Sequence, residues 1–402
     1  MLGAIAEGTT EVSGFLEGED TLATLTAFRA MGVGIERPGP GAVTIHGVGL
    51  HGLKPPSQPL DLGNSGTSMR LMAGLLAGQR FNSQLIGDPS LSRRPMRRVI
   101  EPLSRMGARI ECTPEGTPPL RIQGGRALRG IEYALPMASA QVKSSLLLAG
   151  LYAEGRTCVR EPAATRDHTE RMLVRFGYPV DRSVERACIE GGHVLHGLSI
   201  EVPADISSAA FFLVGAAIAP GSEVVLERVG INPTRTGVID ILKMMGAKIE
   251  ILNPREEGGE PVAELRVRGS RLQGIAISPD LVPLAIDEFP ALFIAAACAE
   301  GEMVLTGAEE LRHKESNRIE AMAEGLQALG IAAMPTADGM VIQGGRFEGG
   351  RIDSRGDHRI AMAFAMAGLR ASTPIVIHDC ANINTSFPGF ADLARQVGLN
   401  IG

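Results

Sequence analysis

The sequence predicts an α/β chain of two domains, each built from three copies of one supersecondary unit, with helices packed inside and sheets outside. Three observations lead there. One phrase recurs six times along the 402 residues: an Ala/Leu helix, a Gly turn, a strand, a loop, a second helix ending near Met-Gly or Leu-Gly, and a strand hairpin. Its period of about 60 residues is too long for a short solenoid motif and marks a stack of larger units. The first helix of each copy is poor in charge, as in PALFIAAACAE (290–300). A helix apolar nearly all round has no face for water and must be buried.

The turn and second helix of the six copies read AEGTTEVSGFLEGEDTLATLTAFRAMGVGIE (6–36), LAGQRFNSQLIGDPSLSRRPMRRVIEPLSRMGARIE (76–111), AEGRTCVREPAATRDHTERMLVRFGYPVD (153–181), APGSEVVLERVGINPTRTGVIDILKMMGAKIE (219–250), AEGEMVLTGAEELRHKESNRIEAMAEGLQALGIAAM (299–334) and RASTPIVIHDCANINTSFPGFADLARQVGLNIG (370–402). Each of VTIHGVGLHG, LRIQGGRALRG, CIEGGHVLHG, LRVRGSRLQG and MVIQGGRFEGG pairs period-two apolar residues with a Gly turn and predicts a hairpin. Six units divide into domains 1–200 and 201–402, with the break where the third hairpin gives way to the helix SSAAFFLVGAAIAPG. The first unit begins at Met1 inside its helix and the last stops at Gly402 before its hairpin. One N-terminal segment of about 30 residues would supply both pieces, so the chain is expected to be a truncated product or the tail of a longer chain.

A net charge of −6 argues against a general nucleic-acid or anionic-membrane surface, because phosphate backbones are held by basic patches. The longest apolar runs, 209–219 and 291–299, are too short to span a bilayer, and Glu7 with no basic leader argues against a secretory signal. A cytoplasmic protein is expected. The five cysteines (Cys112, Cys158, Cys188, Cys298, Cys380) are scattered and never C-x-x-C, which suggests neither a disulfide framework nor zinc. They read as small buried hydrophobes.

Chemistry is concentrated where helices begin. Free N–H groups and the positive end of the dipole favour phosphate or carboxylate there. The segment Gly63-Asn64-Ser65-Gly66-Thr67-Ser68-Met69-Arg70 is such an approach, although ordinary capping explains it equally well. Arg93-Arg94-Pro95 follows a strand and opens a helix, while Arg97 and Arg98 read as a solvated face. Ser139-Ala140-Gln141-Val142-Lys143 presents a hydroxyl, a carboxamide and an ammonium at another helix start. In Arg166-Asp167-His168-Thr169-Glu170 the histidine has no histidine partner at helical spacing, so capping or ion pairing fits better than metal ligation. Asp287-Glu288 opens one helix, Arg312, Lys314, Glu315 and Arg318 another, and Asp357-His358-Arg359 a third. Singly, Asp287 reads as an N-cap and Lys314, Glu315 and Arg318 as helix pairs. Together they suggest a polyanionic ligand and proton transfer among carboxylate, amine and substrate.

In order, the motifs N-S-G-T-S-M-R, S-A-Q-V-K, R-D-H-T-E, N-P-T-R (232–235), I-D-E-F-P, R-H-K-E-S-N-R and D-H-R-I-A-M resemble the 5-enolpyruvylshikimate-3-phosphate synthase family. The S-A-Q-x-K, R-x-H-x-E and N-x-T-R forms are similar to its class II branch, and the resemblance covers the whole chain. It implies the enolpyruvyl transferase fold, a two-domain inside-out α/β barrel of six βαβαββ units that closes on substrate. It implies transfer of the enolpyruvyl group of phosphoenolpyruvate to the 5-hydroxyl of shikimate 3-phosphate, in the shikimate pathway to chorismate and the aromatic amino acids. No metal or organic cofactor, nucleic acid or membrane is implied, and a monomer is expected.

Carried over by residue, Ser139, Ala140, Gln141, Arg166, Asp287 and Lys314 would bind shikimate 3-phosphate. Gly66, Thr67, Arg94, Gln141, Arg318 and Arg359 would hold phosphoenolpyruvate. Asp287 would take the 5-hydroxyl proton with Lys314 beside it, and Glu315 would handle the proton at the methylene carbon. Two departures stand out. The family's N-terminal G-D-K-S…R segment is absent, and Asn317 replaces the aspartate of K-E-S-D-R, where a small effect is expected. Two other readings remain: a non-catalytic fragment of this enzyme, and the sister transferase acting on UDP-N-acetylglucosamine. The latter uses a cysteine in a Gly-rich loop, whereas Cys112 in ECTPEG lies beyond the second helix of its unit.

Overall fold

A computed structural model describes residues 1–402. The chain divides into two compact units, Met1–Val202 and Pro203–Gly402.

The first unit carries three four-stranded sheets. One contains β1 (Thr9–Ser13), β2 (Gly34–Gly39) and β3 (Ala42–His46). The next holds β4 (Leu60–Asp61), β5 (Ser83–Ile86), β6 (Arg109–Glu111) and β7 (Leu120–Gln123). The last holds β8 (Glu132–Ala134), β9 (Arg156–Arg160), β10 (Asp181–Ser183) and β11 (Arg186–Glu190), and β12 (Ser199–Glu201) returns to the first sheet. The orders are β12-β1-β3-β2, β4-β5-β7-β6 and β8-β9-β11-β10. In each, the first pair runs parallel and the remaining strands antiparallel. The Gly turn of LRIQGGRALRG therefore does not close a hairpin as the sequence pattern predicts. It carries the chain from β7 into the next sheet as β8, while β7 pairs back with β6. Gly124 makes this passage possible, since a Cβ there would lie 2.1 Å from the Phe81 carbonyl oxygen.

Five helices accompany these sheets: α1 (Glu19–Ala30), α2 (Gly66–Ala77), α3 (Arg97–Arg105), α4 (Ala140–Gly150) and α5 (His168–Arg175). Ser65 and Ser139 cap α2 and α4, each accepting from the backbone N–H three residues on. Both helices are buried almost throughout, and the core of the unit gathers around them. They approach closely enough for the Ser145 hydroxyl to donate to the Arg70 carbonyl at 2.7 Å. Strands such as β7, which alternates buried and exposed residues, show the core one face only.

The second unit repeats the plan. Its sheets are β13 (Glu223–Gly230) with β14 (Lys248–Glu257) and β15 (Glu260–Arg268), β16 (Glu302–Leu305) with β17 (Ala333–Pro335) and β18 (Met340–Gln343), and the parallel pair β19 (Gly350–Asp353) and β20 (Ile375–His378). Parallel bridges Ala204 to Val229 and Ala276 to Val304 repeat the incoming edge strand of the first unit. The helices are α6 (Ile206–Ile218), α7 (Gly237–Met244), α8 (Val282–Ala285), α9 (Phe289–Ala297), α10 (Arg318–Ala328), α11 (His358–Ala367), α12 (Ile383–Ser386) and α13 (Phe390–Gln396). All nine residues of α9 are buried, and α6 and α11 flank it in one core. No helix is long and apolar enough to cross a membrane.

Two cysteines depart from the expectation of five separate apolar side chains. Cys158 on β9 lies opposite Cys188 on β11, with Cα atoms 4.1 Å apart, and the two form a disulfide. Strand register decides that pairing, and a separation of 30 residues does not reveal it. Cys112, Cys298 and Cys380 are free and only half-buried.

The α2–α4 contact rests on Gly74, where a Cβ would lie 2.0 Å from the Ser145 carbonyl oxygen. Helix propensity favours alanine there by about 1 kcal/mol. Gly74→Ala is nevertheless expected to destabilise the protein by about 2 kcal/mol, because overpacked backbones must separate. Urea unfolding of the variant checks this, and an unchanged midpoint would contradict the close packing.

Candidate active site

Each unit collects polar side chains where its buried helices begin. In the first unit, the start of α2 meets the loop before α3. Arg94 donates from Nη2 to the Asn64 side-chain oxygen at 2.6 Å, and Asn64 donates to Asp88 at 2.6 Å. Asp88 also accepts from the Leu91 N–H at 2.7 Å, so the loop is tied from both sides. Arg70, one turn along α2, donates to Gln141 at 2.6 Å, and Gln141 donates to the Thr67 hydroxyl at 2.9 Å. Arg70 and Arg94 are both buried. Gly66 lies between them, since a Cβ there would sit 2.9 Å from Arg94 Nη1 and 3.0 Å from Arg70 Nη1. Two guanidiniums, a carboxamide, a hydroxyl and a helix N-terminus are thus brought together. Such a set suits an oxyanion, which needs several donors and a positive field.

Ser139 caps α4, and Ala140 and Gln141 form its first turn. Arg166 is half-buried in the loop ahead of α5, whose N-cap residue, Asp167, clasps the Arg171 Nε at 2.9 and 2.8 Å. Lys143 corrects the sequence reading of an ammonium offered at a helix start. It is 1% exposed and bonded to Glu161 at 2.7 Å and Glu170 at 2.8 Å, out of reach of a ligand. Burial opposes its charge, and the two carboxylates reverse that and raise its pKa. Burial also raises the pKa of Glu170, against the pull of Lys143. Arg97 is exposed, as a solvated face requires, while Arg98 is half-buried.

In the second unit, Asp287 sits in the turn between α8 and α9, Lys314 and Glu315 lie between a 3-10 turn (Glu309–His313) and α10, and Asp357 caps α11. Asp287 Oδ1 is 3.2 Å from Lys314 Nζ and 3.5 Å from Arg318 Nη1. Lys314 also reaches Glu310 at 2.9 Å. Arg318, the first residue of α10, is 1% exposed; its Nη2 donates to Glu315 at 2.5 Å and its Nε to Asp357 at 2.8 Å. Burial alone would lower its pKa, but Asp357, Glu315 and Asp287 outweigh burial and raise it. Arg359 donates to the Asp287 backbone carbonyl at 3.0 Å. Asp287 is therefore held on both sides, its carboxylate by Lys314 and Arg318 and its backbone by Arg359. The N-cap position before α9 belongs to Glu288, and Asp287 is left to the cations. Asn317 caps α10, accepting from the Glu320 N–H at 3.3 Å, a task aspartate performs equally well.

Several members of these clusters escaped the sequence reading. Asn64 and Arg70 stood inside a noted motif, and Arg70 follows Gly66 by one helical turn, a spacing that places both on one face. Glu288 is buried and accepts from Ser207, whose oxygen also receives Arg235 Nη2 at 2.7 Å. That chain joins residues 81 apart, and no local signal announces it.

The clusters can hold anions and move protons, and the comparisons with known proteins name the chemistry. Residues 1–393 match the family model of EPSP synthase (3-phosphoshikimate 1-carboxyvinyltransferase). Proteins of that name from Methylococcus capsulatus and Nitrosococcus oceani are 71% and 70% identical over 100% of this chain, covering 92% and 90% of their own lengths. A solved EPSP synthase structure from Acinetobacter baumannii superposes with a TM-score of 0.88 at 62% identity, over 99% of this chain and 92% of that one. The fold is accordingly the two-domain inside-out α/β architecture of those structures, the activity is shikimate-pathway enolpyruvyl transfer, and the chain belongs to the EPSP synthase (3-phosphoshikimate 1-carboxyvinyltransferase) family.

Proposed function

We propose that the two clusters divide the labour of moving the enolpyruvyl group of phosphoenolpyruvate onto the 5-hydroxyl of shikimate 3-phosphate. The observation that carries this is Asp287, whose carboxylate lies 3.2 Å from Lys314 while Glu315 is held by Arg318 in the same turn. The reaction needs a base for an alcohol and an acid for a carbon. Asp287 takes the 5-hydroxyl proton as that oxygen attacks C2 of phosphoenolpyruvate, and Glu315 gives a proton to the methylene carbon. In the second half Glu315 removes a methyl proton, the C2–O bond to phosphate cleaves, and phosphate leaves with the electron pair and takes up the proton held by Asp287. Lys314 stabilises the negative charge at Asp287 and at the departing oxygen.

The matching family motifs assign Gly66, Thr67, Arg94, Gln141, Arg318 and Arg359 to phosphoenolpyruvate, and Ser139, Ala140, Gln141, Arg166, Asp287 and Lys314 to shikimate 3-phosphate. Guanidiniums suit both ligands because their planar donors match carboxylate and phosphate. Addition and elimination are redox-neutral, so these residues can carry them without a cofactor. The same reading takes the protein to be a cytoplasmic monomer.

Asp287→Asn is expected to lower kcat by roughly 10²–10⁴-fold, the usual worth of a positioned base. The assay is phosphate release from phosphoenolpyruvate plus shikimate 3-phosphate, and a kcat within threefold of wild type would remove Asp287 from this role. Gly66→Ala is expected to raise KM for phosphoenolpyruvate about tenfold, since its methyl group meets the Arg94 and Arg70 guanidiniums that hold the oxyanion.

His358 adds a pH dependence. Burial, and then the Arg359 charge beside it, push its pKa from 6.5 down to about 4. The unfolded chain binds a proton near pH 6.5 while the folded one does not, so stability is full above that pH and falls as pH drops toward 4. The loss approaches ~3 kcal/mol. Chemical denaturation at pH 7 and at pH 4.5 should show His358→Gln losing less stability than wild type between the two, and parallel losses would contradict the shift.

A further inference from the structure

The Lys143 cluster does nothing in the chemistry above, yet it occupies a position that makes it more than packing. Lys143 lies one helical turn after Ser139, on the helix whose first turn carries Ala140 and Gln141. Glu161 directly follows β9 and begins the loop that carries Arg166, and Glu170 stands in the first turn of α5, where that loop ends. One ammonium therefore binds both ends of the Arg166 loop, at 2.7 and 2.8 Å, and fastens them to the helix bearing Ser139 and Gln141. Two hydroxyl bonds reinforce the joint. Thr165 donates to Glu161 from the residue next to Arg166, and Thr169 donates to Ser144 at 2.7 Å.

All three charged side chains are buried. A buried ion group of this kind is poor value as a stabiliser, since apolar side chains of similar volume commonly do as well or better. What it supplies is fixed geometry: a guanidinium on a loop points where the ends of the loop direct it, and errors near 1 Å cost heavily in recognition and rate.

We propose that Lys143, Glu161 and Glu170 are positioning residues that set Arg166 at its working distance from Ser139 and Gln141, and so determine the affinity for shikimate 3-phosphate. The proposal rests on the reading that Arg166, Ser139 and Gln141 hold that substrate. The raised pKa of Glu170 agrees with a cluster in which one cation serves two carboxylates.

The triple variant K143M/E161Q/E170Q removes the charges together and leaves no buried ion unpaired. It is expected to keep a thermal midpoint near that of wild type, to weaken shikimate 3-phosphate binding about tenfold or more by titration calorimetry, and to leave KM for phosphoenolpyruvate, measured at saturating shikimate 3-phosphate, within threefold. Glu170→Gln alone keeps an acceptor for the ammonium and is expected to retain affinity within threefold. Thr165→Val frees the loop side of Glu161 without touching a charge and is expected to weaken binding threefold or more, which reads the coupling even if the triple variant does not fold. Wild-type affinity in Thr165→Val, or in a folded triple variant, overturns the proposal. Arg166→Ala separates the two ideas: lost affinity there with none lost in the cluster variants spares the site reading and removes the positioning role, whereas unchanged affinity in Arg166→Ala removes both.

Discussion

The second unit depends on one buried cation. Arg318 has almost no contact with water, and a charge taken out of water costs several kcal/mol unless partners replace its hydration. Those partners come from three directions: Asp357 at the start of α11, Glu315 in the turn before α10, and Asp287 in the turn before α9. Meeting the needs of one guanidinium thus brings three helix starts to one point. The carboxylates so gathered exceed what one arginine can neutralise, and Lys314 and Arg359 complete the balance. The proposed proton carriers, Asp287 and Glu315, are in this way parts of a structural constraint.

The first unit reaches a similar density of charge by another route. Its arginines reach amide side chains, Arg94 that of Asn64 and Arg70 that of Gln141. The N-terminal end of α2 adds the positive field of its dipole, which suits an anion.

Much of this was legible in the sequence because the fold is repetitive and its punctuation is chemical. Six returns of one phrase gave the unit and its number, and the uniformly apolar 290–300 segment gave the buried α9. The site motifs stood out because Ser, Asn and Asp at a helix start, with arginines close behind, leave a local trace. What stayed hidden was whatever register and tertiary pairing decide. LRIQGGRALRG has the alternation and glycines of a hairpin, yet the strand beyond its turn belongs to another sheet. Lys143 read only as an ammonium at a helix start, because nothing near it in sequence discloses Glu161 and Glu170 in the interior. Cys158 and Cys188 are joined only by strand register.

The return of β12 to the first sheet has a consequence for how the protein is made. Residues 199–201 supply the parallel partner of β1, so that strand has one bare flank while everything between them is being translated. An unpaired strand flank invites adhesion to other chains. The other two sheets draw all four strands from single stretches, 60–123 and 132–190, so the first sheet alone waits on distant chain. That sheet is complete only once residues 199–201 have left the ribosome, and a nascent chain stalled short of them leaves the flank of β1 bare.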